Sequence, residues 1–388
     1  MRELLRTRGI LIAFLMGTTT FGGWSLLLPV VPLAIADGGG GAAAAGGSTA
    51  IFMATTVATQ LRVPALLRRH GYRTVLGVGC VLLGPPSLAF VWSVDIVPAL
   101  AVSALRGVGF GLVTVAGIGL LAELAPRNLL GRVTGANGVA IASAQMIVLP
   151  LGLALYKTGQ SSLVFVLGAL IPTLSLLSIS RLPAVPKPGL PAGRKGLPLG
   201  VLLVPCVAML AVSAAYGGMS SLLSIAVADR AAVVGAALAA SAGAMLVGRY
   251  GAGVIADRFG VGRTLVPALL LGAAGTAALA GAVAGVGGDI GLIGGATAFG
   301  AAFGAVQNEA LLALLASAGP ERVGAASAAW NIAYDGGTGI GSIALGVVAG
   351  AAGYPAVFWL AAIVIVAVTP VAVWPRAVAA TSVESRPQ

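Results

Sequence analysis

The sequence contains little charge: 9% of its 388 residues are Asp, Glu, Lys or Arg, whereas 58% are hydrophobic and the mean hydropathy is +1.03. A soluble domain needs polar side chains to cover its surface, and this chain has too few for the apolar surface that it would have to bury. The composition excludes a soluble globular protein and predicts an all-α membrane protein. At about 20 apolar residues per span, the length allows about twelve helices and no separate extramembrane domain.

Metal ligands and catalytic nucleophiles are also scarce. Two cysteines, Cys80 and Cys206, lie in apolar stretches, so we interpret them as small core residues rather than as a disulfide. The one histidine, His70, has no neighbouring cluster of ligands. We therefore expect no metal, no cofactor and no enzymatic activity.

The positive charge is spread along the chain. The formal charge is +11, but the basic residues do not form one patch with aromatic residues between them, as nucleic-acid binding would require. If the helices alternate from a cytoplasmic N-terminus, 18 of the 22 Lys and Arg residues fall on the cytoplasmic side, and only Lys157 and Arg230 fall in the outer loops. This bias predicts cytoplasmic termini and a multi-pass location in the inner (plasma) membrane.

The apolar stretches set the predicted spans. The first, Gly9 to Ala36, is too long for the apolar core of a secretory signal, so we interpret it as a helix. We predict an N-terminal six-helix bundle at 1–181, a Pro-rich cytoplasmic linker at 182–198, a C-terminal bundle at 199–376, a disordered tail at 377–388 and a short outer loop at 38–47. The predicted helices are 9–36, 46–67, 74–93, 96–124, 131–156, 161–181, 199–227, 232–255, 263–286, 290–317, 323–351 and 354–375.

The most informative passage is the turn from Gly253 to Arg263, which has the pattern GxxxDRxGxxR between two apolar stretches. A carboxylate and two guanidiniums this close together cannot lie in hydrocarbon, so the passage must be a water-exposed turn. A degenerate copy runs from Pro64 to Arg73, and its Gly71 lies 189 residues before Gly260. Two copies about half a chain apart predict two pseudo-symmetric six-helix bundles.

This turn resembles the inter-helix signature of the major facilitator superfamily of transporters. Weaker matches to its drug and metabolite exporter branch are Leu28 to Pro32, Leu105 and Arg106 with two following glycines, and Glu123 to Pro126. The resemblance covers nearly the whole chain and implies two bundles that rock around a central cavity by alternating access. It also implies a cytoplasmic latch, in which Asp257 braces a helix N-terminus together with Gly253, Arg258, Gly260 and Arg263.

Two features depart from the family pattern. In the first copy Arg68 stands at the acidic position and Pro64 at the leading glycine, so a latch in that half must work differently or be absent. The fifth helix has only Leu149 to Gly152 where exporters often carry a Gly- and Pro-rich antiporter motif, and the first helix lacks an acidic residue. Antiport is therefore less firmly indicated than the fold.

Two charged residues are predicted near the middle of the membrane. Arg106 is about ten residues into the fourth helix, or about 15 Å deep, and Asp335 reaches a similar depth in the eleventh. A midplane cation costs about 2.5–3.5 kcal/mol on insertion scales, so each group should face a partner or a wet cavity. Two interpretations stay open: substrate and proton coupling, with Asp335 binding and releasing the proton, or structural buried pairs.

Glu309 in the tenth helix and Arg249 in the eighth lie at comparable depths, closer to the cytoplasmic side. A structural pair is the favoured interpretation, and the alternative is that Glu309 carries a proton alongside Arg106 and Asp335. Other polar or aromatic helix residues are candidates for lining the cavity, although isolated amides often only join helices. These candidates are Trp24, Gln145, Tyr216, Gln307, Asn308, Asn331 and Tyr334.

The sequence thus predicts a secondary active transporter, specifically a proton-coupled exporter of small, moderately apolar organic molecules that works as a monomer in the lipid bilayer. Sugar sites need several converging aromatic and amide side chains, and only 5% of residues are aromatic. Symport uptake of a sugar or organic acid is the alternative. A non-transporting membrane sensor or enzyme is the second alternative, but the sequence shows neither a soluble domain nor a cluster of His, Asp or Cys.

Overall fold

A computed structural model describes residues 8–125, 130–183, 185–187, 199–318 and 322–384. All secondary-structure elements of these described residues are helices, and none is a strand. Twelve of the helices are long and apolar enough to cross a membrane. The fold is the predicted one: an all-α membrane protein of two pseudo-symmetric six-helix bundles. The helices are α1 (Arg8–Leu27, continued as Val30–Asp37), α2 (Gly41–Gln60), α3 (Val63–Leu83), α4 (Ile96–Leu124), α5 (Leu130–Lys157), α6 (Ser161–Ser180), α7 (Leu199–Ala226), α8 (Ala231–Phe259), α9 (Leu265–Val283), α10 (Gly288–Ala318), α11 (Val323–Ala352) and α12 (Tyr354–Glu384).

The two copies of the turn have the same backbone conformation. Gly71 has φ 78° and ψ 170°, and Gly260 has φ 88° and ψ 157°, a region that is open almost only to glycine. In each half the break at this glycine ends one helical segment and starts the next, so the duplication predicted from the sequence extends to local geometry. We call the membrane face with these turns the motif face, and the opposite one the far face.

The predicted bounds of the second helix were wrong at both ends. α2 begins at Gly41, because Ala42 to Ala45 are strong helix formers, so most of the predicted loop at 38–47 is helical. It ends at Gln60, and a short helical segment from Val63 to the break at Gly71 follows. Pro64 at the start of that segment fits the first turn of a helix, where a missing N–H costs nothing.

The two halves meet most closely along α2 and α11, and we call this contact the seam. A Cβ atom at Gly46 would lie 2.0 Å from the carbonyl oxygen of Ser342, and one at Gly346 would lie 2.6 Å from that of Ala42. Small residues therefore let the two backbones touch, as is typical of membrane helices. Nearer the membrane centre, the hydroxyls of Thr49 and Ser221 lie 2.9 Å apart.

A second contact between the halves joins α5 to α8. A Cβ atom at Gly235 would lie 3.4 Å from Pro150, and one at Gly243 would lie 3.2 Å from the Met146 sulfur. Both of these contacts are on the far-face side of the membrane. Closer to the motif face, a Cβ atom at Gly138 or Gly336 would meet nothing within 4 Å. The halves therefore contact each other closely on the far-face side of the membrane.

The last helix is longer than expected. α12 runs from Tyr354 to Glu384, so the first part of the tail predicted as disordered is helical, which fits the alanines at 377, 379 and 380. Residues 385–388, most of the predicted linker and residues 126–129, which the sequence predicts to be a turn, lie outside the described residues. The domain bounds at 1–181 and 199–376 stay a prediction.

Candidate functional site

Asp335 lies at the seam and is bound by the opposite half of the molecule. Its Oδ2 accepts a 2.6 Å hydrogen bond from Nε2 of Gln60, the last residue of α2. The same Gln60 amide also donates to the Thr114 hydroxyl of α4 at 3.3 Å. The carboxylate is 4% exposed, and among the described residues no Lys, Arg or His lies within 4 Å of it. Asp335 is thus a buried acid bound by a neutral amide.

The oxygen of that amide has no partner. Gln60 Oε1 is buried and makes no hydrogen bond with the described residues. A protonated carboxyl group carries an O–H donor that an ionised one lacks. The Gln60 amide can therefore accept a hydrogen bond from protonated Asp335 while its N–H group donates one.

Arg106 is buried in the first half, away from Asp335. Its Nε donates to the carbonyl oxygen of Leu83 at 3.2 Å, and its guanidinium lies 5.7 Å from the centre of the Phe52 ring and 5.8 Å from that of Phe90. Arg106 is eight residues before Thr114 on α4, about 12 Å along the helix. The structure does not bring the two predicted coupling residues into contact.

Aromatic side chains form a stack in the second half. Ring centres are 4.7 Å apart for Tyr216 and Phe303, 5.7 Å for Phe303 and Tyr334, and 5.7 Å for Tyr334 and Trp330. The stack joins α7, α10 and α11, and it ends beside Arg249 of α8, whose guanidinium lies 6.0 Å from the Trp330 ring centre. Two predicted cavity residues, Tyr216 and Tyr334, therefore belong to one apolar wall next to a cation and Asp335.

Within the described residues, Arg249 and Glu309 make contacts other than the pair that the sequence favoured. Arg249 Nη1 donates to Oε1 of Gln307 at 3.4 Å. The carboxylate of Glu309 accepts hydrogen bonds from the backbone N–H of Gly262 and the hydroxyl of Thr264. These donors lie just before α9, where the free N–H groups and the helix dipole favour a negative charge. Glu309 therefore anchors the turn between α8 and α9.

The predicted latch residues lie on the surface of that turn. Asp257, Arg258 and Arg263 are exposed, and within the described residues none of them forms an ion pair. The Arg258 guanidinium lies 5.3 Å from the centre of the Phe259 ring. Gly253 is half-buried, and a Cβ atom there would lie 3.5 Å from the Asn308 amide nitrogen. The latch itself stays a prediction.

The remaining candidates fall into two groups. Gln145 of α5 donates to the Ser25 hydroxyl of α1 at 3.1 Å, and Trp24 stacks on Phe110 with ring centres 4.9 Å apart, so both are engaged inside the first half. Asn331 is half-buried and donates to a carbonyl of its own helix at 2.8 Å. Its carbonyl oxygen is thus the part available to a ligand.

Gln60 was missed from the sequence, where it follows Thr59 near the end of a helix. A usable signal did exist in the repeat. The offset of 189 residues that separates Gly71 from Gly260 also separates Gln60 from Arg249. The polar residue of α2 therefore has a polar counterpart in α8.

Phe303 and Trp330 were also missed, because ring stacking between distant helices leaves no pattern along the chain.

Comparison with known proteins supports the fold and the family. A family model described as Major Facilitator Superfamily matches residues 13–308. No curated protein matches the sequence. Among solved structures, the inward-open xylose transporter XylE from E. coli is 17% identical, with a TM-score of 0.76 over 94% of each chain.

Two further structures have the same fold. A mutant of the nucleoside transporter NupG is 11% identical, with a TM-score of 0.71 over 94% of this chain and 98% of its own. A bacterial homologue of the human lysosomal transporter Spinster, inward-facing and unoccupied, is 13% identical, with a TM-score of 0.76 over 94% of this chain and 96% of its own. The exporter branch stays a prediction, but the family model covers most of the sequence, and the chain belongs to the Major Facilitator Superfamily of membrane transporters.

Proposed function

We propose that this protein is a proton-coupled secondary transporter that exports small, moderately apolar organic molecules by alternating access. The observation that carries the proposal is Asp335, a buried carboxyl group at the seam that is held by Gln60 of the other half. A buried charge without a cation is costly, so this carboxyl group is best carried through the closed state with a proton bound. When the seam parts, water from the far-face side reaches the carboxyl group and supplies a proton, and the proton leaves toward the motif face after the seam has closed again.

The seam explains why proton binding and rocking are linked. Gln60 and Asp335 belong to opposite halves, so parting α2 from α11 breaks their hydrogen bond. Ionised Asp335 leaves Gln60 Oε1 unpartnered, whereas the protonated form supplies a donor for it. Protonation therefore favours the closed seam, and loss of the proton favours the open one. A ligand, here the proton, shifts a conformational equilibrium only if it binds one conformation more tightly than the other.

The stack of Tyr216, Phe303, Tyr334 and Trp330 supports an organic substrate with an apolar body. Tyr334 and Trp330 are only partly buried and offer apolar ring surface, whereas Tyr216 and Phe303 are buried. The neighbouring Arg249 and Gln307 supply polar groups that orient a ligand. The basic residues of the motif face support its assignment to the cytoplasmic side of the plasma membrane. No cofactor enters this scheme, and the proton gradient supplies the energy.

The experiment is transport by the purified protein in lipid vesicles with an imposed pH gradient. A panel of radiolabelled lipophilic drugs, aromatic acids, sugars and nucleosides is supplied, and vesicles of both protein orientations are sorted with an accessible tag. We expect at least one apolar compound to move against its gradient, toward the far-face side, in exchange for protons. The proposal would be overturned if the pH gradient changed the flux of none of the transported compounds.

Symport uptake of a sugar or organic acid is a second candidate, favoured by one observation. Aromatic and amide groups, which a sugar site needs, do converge in the second half: Trp330 donates to the Gln307 backbone carbonyl at 3.0 Å, beside Tyr334. In the same vesicles, inward movement of a sugar together with protons would select this candidate. Outward movement of an apolar compound in exchange for protons would select export.

A further inference from the structure

Arg106 carries a charge that nothing in its surroundings neutralises. It is 3% exposed, and among the described residues no carboxylate lies within 4 Å of its guanidinium. The faces of the Phe52 and Phe90 rings attract the cation. Neither ring has an oxygen or nitrogen atom that could accept a hydrogen bond from the guanidinium N–H groups. Its hydrogen bond goes to the Leu83 carbonyl, a neutral group. A buried cation of this kind is rare in membrane helices unless an anion or water accompanies it.

One nitrogen of this guanidinium also lacks a hydrogen-bond partner. Nη2 of Arg106 is buried and makes no hydrogen bond with the described residues. Buried polar groups are nearly always satisfied, and an unsatisfied one in a native structure points to an unseen water or ion. For a charged donor in a low-dielectric site, an anion satisfies both the hydrogen bond and the charge, whereas water satisfies only the first.

A small cavity adjoins Arg106. It has a volume of about 20 Å³ and lies between α1, α2 and α4, with the hydroxyl-bearing residues Ser48, Thr49 and Ser103 in its lining. Ser48 donates to the Ala45 carbonyl at 2.7 Å, and Thr49 donates to Ser221, because the Ser221 hydroxyl itself donates to Ser342. Ser103 is thus the hydroxyl donor that the lining offers to a ligand. A cavity of this size suits one small species better than a larger oxyanion such as sulfate.

We propose that the cavity beside Arg106 binds one small monovalent anion, of which a halide such as chloride is the best match. Arg106 Nη2 supplies the charge-assisted hydrogen bond, and the hydroxyl of Ser103 supplies a second donor. Trp24 and Phe52 supply apolar surface in the lining. This site is separate from Asp335 and goes beyond the proposed transport reaction, because it needs no transported substrate.

The position of Thr49 links this anion to the seam. Its hydroxyl lines the cavity and also lies 2.9 Å from that of Ser221 in the other half, which in turn donates to Ser342 at 3.3 Å. The closed seam therefore covers the cavity, and parting of α2 from α7 and α11 removes this cover. The anion stabilises the closed state more than the open one.

The test is thermal unfolding of the full-length protein in detergent, at constant ionic strength, as sodium gluconate is replaced by chloride or bromide. We expect the unfolding midpoint to rise saturably with either halide and to be unchanged by sulfate. Arg106→Gln should raise the half-saturating halide concentration at least tenfold, whereas Arg249→Gln, which changes a half-buried arginine of α8, should leave it unchanged. Crystals grown in bromide should show an anomalous peak within hydrogen-bond distance of Arg106 Nη2.

A second variant protects the test against misfolding. Ser103→Leu fills the cavity without touching the guanidinium charge, so it should abolish the halide effect even where Arg106→Gln does not fold. An equal halide response in Ser103→Leu and wild type would overturn the proposal. So would the absence of any halide-specific response in the wild type, because the cavity would then hold water only.

Discussion

Gln60 and Asp335 show how one hydrogen bond can connect two bundles. The amide and the carboxyl group lie in helices 275 positions apart in the sequence, and their 2.6 Å contact crosses the seam. Protonated Asp335 can exchange two hydrogen bonds with the amide at about 0.5–1.5 kcal/mol each, and together they are enough to change the balance between two conformations about tenfold. We therefore propose that rocking and protonation are coupled at this carboxyl group rather than at Arg106.

Replacing Gln60 by Ala should weaken coupling without removing the acid. Asp335 would lose its partner across the seam, and we expect proton-driven transport in vesicles to fall about tenfold, in line with the loss of two hydrogen bonds between the neutral amide and the protonated carboxyl group. Gln160→Ala is the matched control, since Gln160 is an exposed glutamine in the turn before α6. Equal transport rates for Gln60→Ala and Gln160→Ala would contradict the role assigned to Gln60.

At the scale of elements, the sequence predicts long apolar helices well and their junctions poorly. The predicted fourth helix, 96–124, coincides with α4, because Asp95 and the apolar run after it mark a clear start. The helical stretch from Gly41 to Ala45 was missed, because the glycines around it suggested a loop. Its role depends on contact with α11, and packing between residues about 300 positions apart leaves no local signal.

Some residues of the candidate site could likewise be predicted from the sequence, and others could not. Asp335 and Arg106 could be found from the sequence, because a charge inside an apolar helix stands out there. Their partners could not, since an amide such as Gln60 and a ring such as Phe303 look like ordinary helix residues until the helices are packed together. Glu309 shows the converse: its charge was noticed, but its partners are the backbone of Gly262 and the hydroxyl of Thr264, in a turn that the sequence assigned to a different role.

The glycine that ends α8 should be irreplaceable for conformational reasons. No atom lies within 4 Å of a Cβ at Gly260, so Gly260→Ala introduces no clash, but φ 88° is strained for any other residue. We expect a loss of about 1–3 kcal/mol in the free energy of unfolding, measured by thermal or denaturant unfolding in detergent. Gly251→Ala is the control inside α8, where Ala also meets nothing within 4 Å and should be neutral or slightly stabilising. Similar losses in both variants would contradict this explanation.

At the scale of the whole molecule, closure at the far face depends on backbone contact along the seam. Glycines at 46 and 346 place α2 and α11 so close that no side chain fits between them. The residues at this contact are polar as well as small, since hydrogen bonds connect the hydroxyl groups of Thr49, Ser221 and Ser342 across it. Such a contact can part without exposing a large apolar surface, which suits a gate that must open repeatedly.

Gly46→Val should hold the far face open. Its side chain would collide with the Ser342 backbone, whereas Gly47→Val, one residue further on, meets only Leu100 at 3.9 Å. With Cys80 and Cys206 replaced, spin labels at Trp92 and Val286, which are 80% and 71% exposed in far-face loops of the two halves, report the separation. We expect the distance distribution to shift to longer values in Gly46→Val and to match the wild type in Gly47→Val. An unchanged distribution in Gly46→Val would show that the seam is not the gate.

The central claim, that Asp335 carries the coupled proton, is tested most directly by comparing two modes of transport in vesicles containing the Asp335→Asn protein. One assay follows substrate accumulation driven by a pH gradient, and the other follows exchange of labelled for unlabelled substrate without a gradient. Asn keeps the size of the side chain and its hydrogen bond with Gln60 but cannot release a proton. We expect gradient-driven accumulation to fall at least tenfold while exchange persists. Accumulation at the wild-type level by the Asn variant would contradict the account.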